Sequence, residues 1–266
     1  MTDQADALFE RAGDRFTPTP LAAGPWDPAN CHGGPPSALL ARAVEHHDSD
    51  DVEWQVARLT IELLRPIRVG RPLSIASATE RAGRRISVVT ASLIDGEHEV
   101  ACVRALRIRR RQDDLPEGVV PTGSMPAAVE QSWPDVADFT DDQPSYVGHA
   151  CEFRFASGGW NQLGACAVWI RLLCPVIGGE HPTGLQRVAA AADFGNGVSA
   201  DVDFNRWLYI NPDLTIHLAR PARGEWIGLR ASSHLGGTGT GLAHSLLHDE
   251  DGPLGLSLQS LLVEPR

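Results

Sequence analysis

Leu59-Thr60-Ile61-Glu62-Leu63-Leu64-Arg65-Pro66 returns 155 positions later, from residue 59 to residue 214, as Leu214-Thr215-Ile216-His217-Leu218-Ala219-Arg220-Pro221. Both stretches are rich in β-branched and aliphatic residues, which favours a β-strand. A period this long is too large for a solenoid repeat, so the sequence predicts two copies of one domain in a single chain. A fused pair lets one copy specialise while the other degrades. Polar residues that only one copy carries are therefore the first candidates for chemistry.

The composition is that of a folded protein with two domains of ordinary size. The chain has 266 residues, of which 42% are hydrophobic and 21% charged. This is enough to bury two cores. The formal net charge of −11 disfavours nucleic acid as a partner, because phosphate binding needs a basic face. The sequence contains no lysine, which excludes Schiff-base chemistry and a Walker A phosphate-binding loop.

Location and metal content can also be predicted from the composition. No apolar run is long enough to span a bilayer and no segment resembles a signal peptide, so we expect a cytoplasmic protein without a membrane span. The 5 cysteines form an odd set without C-x-x-C spacing, which favours small core residues over a disulfide framework or a structural zinc site. His46-His47-Asp48 is typical of a helix C-terminus. We expect no metal and no cofactor.

The order of predicted elements divides the chain into an N-terminal domain over residues 1–111, a linker over 112–148 and a C-terminal domain over 149–266. Periodicity disappears in the linker, where Asp, Glu, Pro and Gly accumulate. Each domain is predicted to contain one helix and an antiparallel sheet that folds around it, which is an α+β architecture. In the first domain a helix begins near Ser37, and strands are expected near residues 54–66, 72–81, 84–95 and 98–110.

In the C-terminal domain the predicted helix runs from Thr183, its N-cap, to about Phe194. The glycine-rich stretch 236–241 superficially resembles a dinucleotide-binding loop. It lies between two predicted strands with no helix after it, so the pattern predicts a hairpin. Strands are expected near residues 150–156, 163–173, 207–219, 224–234, 240–248 and 254–263.

Asp193 lies at the end of the predicted second helix, on the same side as its apolar stripe. The stripe consists of Leu185, Val188, Ala189 and Ala192. A carboxylate in the last turn meets the negative end of the helix dipole, which costs a few tenths to about 1 kcal/mol. Such a residue either acts as a base held by specific hydrogen bonds or begins a solvent-exposed turn. The residues alone leave both interpretations open.

Two amides are candidates because they stand in the second copy only. Asn211 precedes Pro212 at the start of the repeated strand, where it can hold a water or an acyl carbonyl, or be only a turn residue. Gln259 lies among leucines in a late strand and needs a hydrogen-bond partner if it is buried. By our register its counterpart in the first copy is Ala105.

Nearly the whole chain outside the linker resembles the acyl-CoA thioesterase II family. The family's fold is a double hotdog, in which a long central helix is wrapped by an antiparallel sheet twice per chain. The order and spacing of the motifs carry the resemblance, more than any single motif does. These motifs are His32-Gly33-Gly34, Leu64-Arg65-Pro66, Val69-Gly70, Gly83-Arg84-Arg85, Val168-Trp169-Ile170-Arg171, Ala192-Asp193-Phe194, Leu218-Ala219-Arg220-Pro221 and Leu258-Gln259.

The resemblance implies hydrolysis of acyl-CoA to a carboxylic acid and CoA. In the family a water is activated by an aspartate on the second helix, with a hydroxyl residue and a glutamine from neighbouring strands. Asp193 matches the aspartate and Gln259 the glutamine. The hydroxyl position falls on Asn211, which departs from the family pattern: an asparagine can orient a water, but it cannot relay a proton as a hydroxyl does.

The entrance of the first helix is the candidate for binding the substrate. Backbone N–H groups near Gly33 and Gly34 can stabilise an oxyanion, because helix N-termini expose free donors. The same glycines can instead allow tight packing. We also include His32 among the substrate-binding candidates.

Two other functions remain open. A non-catalytic acyl-CoA or lipid-binding protein is favoured by Asn211. An acyl-CoA hydratase needs a histidine and an acidic residue working together. His32 supplies the first, but no acidic residue stands near it at the helix entrance. We further expect a homodimer, since flat sheet faces often dimerise.

Overall fold

The computed structural model describes residues 6–47, 52–111, 125, 143–160 and 162–266. Within these residues, 13 strands form one sheet around two long helices, which confirms the α+β double-hotdog architecture. Most of the predicted linker lies outside the described residues. The helices are α1 (Gly34–Glu45), α2 (Gly184–Ala192) and the short α3 (Gly195–Val198). The strands are β1 (Phe9–Ala12), β2 (Arg15–Pro18), β3 (Trp54–Leu63), β4 (Leu73–Arg81), β5 (Ile86–Asp95), β6 (His98–Arg109), β7 (Cys151–Ser157), β8 (Cys166–Leu172), β9 (Trp207–Ile210), β10 (Asp213–Leu218), β11 (Trp226–Leu235), β12 (Thr240–Asp249) and β13 (Gly252–Pro265).

The two repeated strands pair with each other at the centre of the sheet. Strand β3 runs antiparallel to β10, and Thr60 is the partner of Thr215, its own counterpart in the repeat. On both sides of this pair the order is the same: β3, β6, β5, β4 outward in one direction and β10, β13, β12, β11 in the other. A pseudo-twofold axis therefore passes between Thr60 and Thr215, and the sheet is continuous across the two halves.

The helices lie against the sheet and against each other. Helix α1 is buried along almost its whole length and starts at Gly34, earlier than the expected Ser37, with two prolines in its first turn. Helix α2 begins as predicted, because the hydroxyl of Thr183 accepts a hydrogen bond from the Gln186 N–H. The pseudo-twofold axis makes the helices antiparallel, so the start of each lies beside the end of the other.

Two elements depart from the prediction. The hairpin β1–β2 was not anticipated from its four-residue strands. The single strand expected over 207–219 is divided into β9 and β10 by Pro212, whereas the equivalent β3 is continuous with a bulge between Val56 and Arg58. Tyr146, inside the predicted linker, is fully buried. The 236–241 stretch does form the β11–β12 hairpin, with Gly237 and Gly239 at positive φ.

The end of each helix meets the start of the other at a helix junction, and at one of these two junctions a carboxylate accepts hydrogen bonds from two uncharged donors. At the end of α1 the carboxylate of Glu45 accepts hydrogen bonds from the Thr183 hydroxyl at 2.8 Å and from Gln186 Nε2 at 2.9 Å. Burial raises the pKa of the Glu45 carboxyl above its ordinary value, and the two hydrogen bonds oppose part of that shift. Among the described residues no helix is long and apolar enough to cross a membrane.

Replacing Glu45 by Gln should change how stability depends on pH. Because folding raises the pKa of Glu45, the folded chain binds more protons than the unfolded chain between the two pKa values, and the free energy of unfolding falls as pH rises through the folded pKa. The variant lacks this loss. The difference in Tm, Glu45→Gln minus wild type, should therefore be more positive at pH 7.5 than at pH 4.5. A difference that is the same at both pH values would contradict the assignment.

Candidate active site

A cavity of about 780 Å³ lies where the start of α1 meets the end of α2 and the start of β10. Both halves of the chain line it, so it exists only because they pack together. Its lining includes the polar side chains of Asp193 and Asn211 and three aromatic residues in mutual ring contact, Trp26, Phe204 and Tyr209. Such a cavity is large enough for a small-molecule ligand.

Asp193 is the carboxylate of this cavity. It is the C-cap of α2 and only 2% exposed. Its Oδ1 accepts a hydrogen bond of 2.8 Å from Asn211 Nδ2, which also donates to the Asp213 carbonyl. The break at Pro212 turns Asn211 toward the end of the helix instead of leaving it in a regular strand. Of the two sequence-based interpretations, the structure shows a buried carboxylate held by hydrogen bonds.

Gln259 contacts the backbone of the same turn. Its Nε2 donates to the main-chain oxygen of Asp193 at 3.1 Å, and its Oε1 accepts from the Asn196 N–H at 3.0 Å. The side chain is 2% exposed, so the expected need for buried partners is met. The structure thus brings Gln259 to Asp193, but to its backbone and not to its carboxylate.

The register of β13 supports the asymmetry expected at Gln259. Gln259 lies one residue beyond the partner of Thr215, and Ala105 lies one residue beyond the partner of the equivalent Thr60. The two positions are therefore related by the pseudo-twofold axis. The second copy has an amide where the first has a buried alanine.

His32 is the partner of Asp193 that the sequence did not reveal. Its Nδ1 lies 2.8 Å from Asp193 Oδ2, and the imidazole ring packs on Phe194 and Tyr146 with centroids 4.7 and 5.0 Å away. The expectation that no acidic residue stands near His32 was wrong. That expectation considered the helix entrance alone, whereas the acid comes from the other copy. The antiparallel repeat was the signal that could have predicted this contact.

Gly33 and Gly34 allow the two helices to approach. A Cβ at Gly33 would lie 2.6 and 2.8 Å from the carboxylate oxygens of Asp193, and one at Gly34 would lie 2.7 Å from the Ala190 carbonyl. Pro35 and Pro36 have no N–H, so the glycines supply the backbone N–H donors at this helix start. The Gly34 N–H lies 3.1 Å from His32 Nδ1.

The position of Asp193 between two helix ends reduces the dipole penalty expected from sequence. The carboxylate lies at the negative end of α2 but also beside the positive end of α1, at Gly33. The field of α1 therefore offsets that of α2. Burial is the main reason that the pKa of Tyr146 lies well above its ordinary value, with Cys151 and Asp193 adding to the shift. Tyr146 consequently forms a neutral wall of the site.

Two further kinds of chemistry were considered for this cavity: attack by the Cys31 thiol, and catalysis by a metal ion bound to described side chains. Burial raises the pKa of Cys31, which lines the cavity, to about 12, so its thiol stays protonated and is a poor nucleophile. Across residues 6–47, 52–111, 125, 143–160 and 162–266, no group of three or more His, Cys, Asp or Glu side chains could hold a metal ion.

Two family models match the chain. One describes the N-terminal domain of acyl-CoA thioesterases and covers residues 22–109, and the other describes their C-terminal domain and covers residues 122–263. Together they span more than half of the chain, and they assign one half of the double hotdog to each model. The chain belongs to the acyl-CoA thioesterase family.

Solved structures share this fold at low sequence identity. A candidate thioesterase II from Thermobifida fusca is 16% identical, with 97% of this chain and 96% of that chain covered and a TM-score of 0.70. A candidate thioesterase from Novosphingobium aromaticivorans is 20% identical over 97% and 99%, with a TM-score of 0.67. The acyl-CoA thioesterase II TesB2 of Mycobacterium marinum is 18% identical over 97% and 96%, with a TM-score of 0.66. These likenesses show the fold. A search among proteins of curated function finds no match.

The close contact at Gly33 predicts a site-specific loss of stability. The Gly33→Ala variant forces its new methyl group against the Asp193 carboxylate, and this overpacking should lower the free energy of unfolding by about 1–3 kcal/mol. Gly197→Ala is the matched control, because no atom lies within 4 Å of the position its Cβ would take. Denaturant unfolding of both variants measures the difference. Equal stability of the Gly33→Ala and Gly197→Ala variants would show that a methyl group at position 33 fits without overpacking.

Proposed function

We propose that this protein hydrolyses acyl thioesters, acyl-CoA above all, to a carboxylic acid and a free thiol. The observation that carries the proposal is the buried carboxylate of Asp193, which contacts Asn211 and His32 at the wall of a cavity shared by both halves. Membership of the acyl-CoA thioesterase family supports the same reaction. No lysine occurs and Cys31 is protonated, so water is the proposed nucleophile.

The reaction needs a base and a group that stabilises negative charge. The Asp193–His32 pair takes a proton from water, and the oxygen attacks the thioester carbon. The resulting oxyanion is stabilised by the N–H groups of Gly33 and Gly34 at the start of α1. Collapse of the tetrahedral intermediate breaks the C–S bond and releases the thiol.

The two amides fit a positioning role in this reaction. Asn211 holds the Asp193 carboxylate directly, and Gln259 holds the backbone of the same residue. The family resemblance implied that Asn211 and Gln259 orient the attacking water. Their contacts support instead the task of fixing the carboxylate, which preorganises the site before substrate binds.

Asp193→Asn tests the proposal. The variant keeps the shape of the side chain but loses its charge, and release of free thiol from a series of acyl-CoAs of increasing chain length should fall by roughly 100- to 10,000-fold. Glu45→Gln is the matched control, since Glu45 is the carboxylate of the other helix junction and should leave turnover unchanged. Full activity of Asp193→Asn would remove the carboxylate from the mechanism.

The same assay separates the two other functions. The contact between His32 and Asp193 now favours the hydratase hypothesis more than the sequence did, because it joins the required histidine to an acid. Hydration of an unsaturated acyl-CoA without thiol release would support it. Saturable binding without turnover would support a non-catalytic acyl-CoA carrier.

A homodimer is proposed through the outer face of the C-terminal half. Five leucines on β12 and β13 are 40–46% exposed there and form what we name the outer leucine face: Leu242, Leu246, Leu256, Leu258 and Leu262. The pairing of Leu246 with Leu256 and of His244 with Leu258 makes the face contiguous. Its outward positions from residue 240 to 246 on β12 and from residue 256 to 262 on β13 carry no acidic side chain, and Glu264 lies beyond them at the end of β13. Two copies of a chain with net charge −11 can therefore meet over these positions with little like-charge repulsion.

Light scattering after size-exclusion chromatography tests the dimer. The wild type should have twice the mass of the 28.6 kDa chain, and a variant combining Leu246→Glu and Leu258→Glu should have the mass of one chain. Leu173→Glu introduces the same charge at a residue that is 46% exposed outside this face, and it should remain dimeric. A monomeric wild type would refute the dimer.

A further inference from the structure

We propose that His32 is the catalytic base of this site and that Asp193 orients it. The inference rests on the proposed hydrolysis and says which of the two side chains takes the proton from water. It reverses the roles that the sequence suggested, in which Asp193 was the base and His32 a weak candidate for substrate binding.

The surroundings of Asp193 leave little space for a water on its carboxylate. Oδ1 is occupied by the Asn211 amide and Oδ2 by the His32 imidazole. The backbone of Gly33 closes another side, since even a single added carbon there would lie within 2.8 Å of both oxygens. The side chain of Asp193 is 2% exposed, against 12% for that of His32. The imidazole is thus the more accessible member of the pair.

The orientation of His32 presents one ring nitrogen to the cavity. Phe194 and Tyr146 pack against the ring, and Nδ1 points to Asp193. Nε2 lies on the other side of the imidazole and has no hydrogen-bond partner within the described part of the chain, while His32 lines the cavity. A buried aspartate on Nδ1 with Nε2 toward the substrate is the arrangement that catalytic histidines use in hydrolases.

The tautomer follows from the two contacts of Nδ1. This atom cannot both donate to Asp193 Oδ2 at 2.8 Å and accept from the Gly34 N–H at 3.1 Å. We assign the proton to Nδ1, because a hydrogen bond to a carboxylate is stronger than one from a neutral amide. That choice leaves Nε2 unprotonated, as a base requires. It also releases the Gly34 N–H to stabilise an oxyanion.

The proton then follows a closed path. Nε2 of His32 removes a proton from water as the water oxygen bonds to the thioester carbon, and the carbonyl electrons move to oxygen. Asp193 stabilises the imidazolium that forms. When the intermediate collapses, the C–S bond breaks with its electron pair on sulfur, and Nε2–H returns the proton to that sulfur. The products are the carboxylic acid and the thiol, and His32 is neutral again.

Chemical rescue tests this assignment. His32→Ala should lower kcat/KM for acyl-CoA hydrolysis by roughly 100- to 10,000-fold, and added imidazole should restore part of the activity in proportion to its concentration. His32→Asn is the second variant, because its amide can still donate to Asp193 and keep the fold. It should be as inactive as His32→Ala. His47→Ala, at the other end of α1, is the control and should match the wild type.

Each outcome decides the assignment. Loss of activity in both variants with imidazole rescue supports His32 as the base. Retained activity in His32→Asn, or no rescue of a folded His32→Ala variant by imidazole, overturns it and leaves His32 a structural residue. If the wild type releases no thiol from any acyl-CoA, the proposed hydrolysis fails and this inference with it. Normal wild-type turnover with an active His32→Asn would refute the inference alone.

Discussion

The pairing of β3 with β10 is the interaction on which the rest of the structure depends. Because Thr60 is opposite Thr215, the two halves are related by a pseudo-twofold axis, and the helices that each half wraps must run antiparallel. The end of α2 is thereby brought to the start of α1. The contact between His32 and Asp193 depends on this pairing, because the two residues are 161 positions apart in the chain and belong to different copies.

Symmetry creates two helix junctions, and the side chains make them chemically different. At one, the Glu45 carboxylate accepts hydrogen bonds from the Thr183 hydroxyl and the Gln186 amide, and its pKa is raised mainly by desolvation. At the other, Asp193 contacts an imidazole and an amide. The equivalent positions of β13 and β6 also differ between the halves, since one carries Gln259 and the other Ala105. The hydroxyl and the amide that donate to Glu45 cannot take up a proton as an imidazole can, and this distinguishes the Glu45 junction from the candidate catalytic one.

The fold could be predicted from sequence because the patterns that indicate its strands and helices are local and occur in both halves of the chain. In both halves, short apolar segments are separated by turn residues, and this pattern is visible within a few residues of sequence. The Thr183 hydroxyl can accept a hydrogen bond from a helix N–H, which identifies it as an N-cap. Asp193 and Gln259 could be identified because each is a polar residue where an apolar one is expected. The β1–β2 hairpin could not, since strands of four residues carry too little pattern. The contact of His32 with Asp193 depends on tertiary placement, which no local window contains.

Asn211 and His32 have complementary roles on the two oxygens of the Asp193 carboxylate. A carboxylate that acts as the base benefits from a hydroxyl neighbour that can relay a proton, and the family resemblance places such a residue at position 211. Asparagine cannot relay a proton, but its amide can only donate to Asp193 Oδ1 and so fix the carboxylate. A fixed carboxylate is what an orienting aspartate needs, and in the mechanism that we propose the imidazole on its other oxygen is the proton acceptor. The departure at Asn211 is thus the substitution expected of a site in which the proton is transferred to histidine.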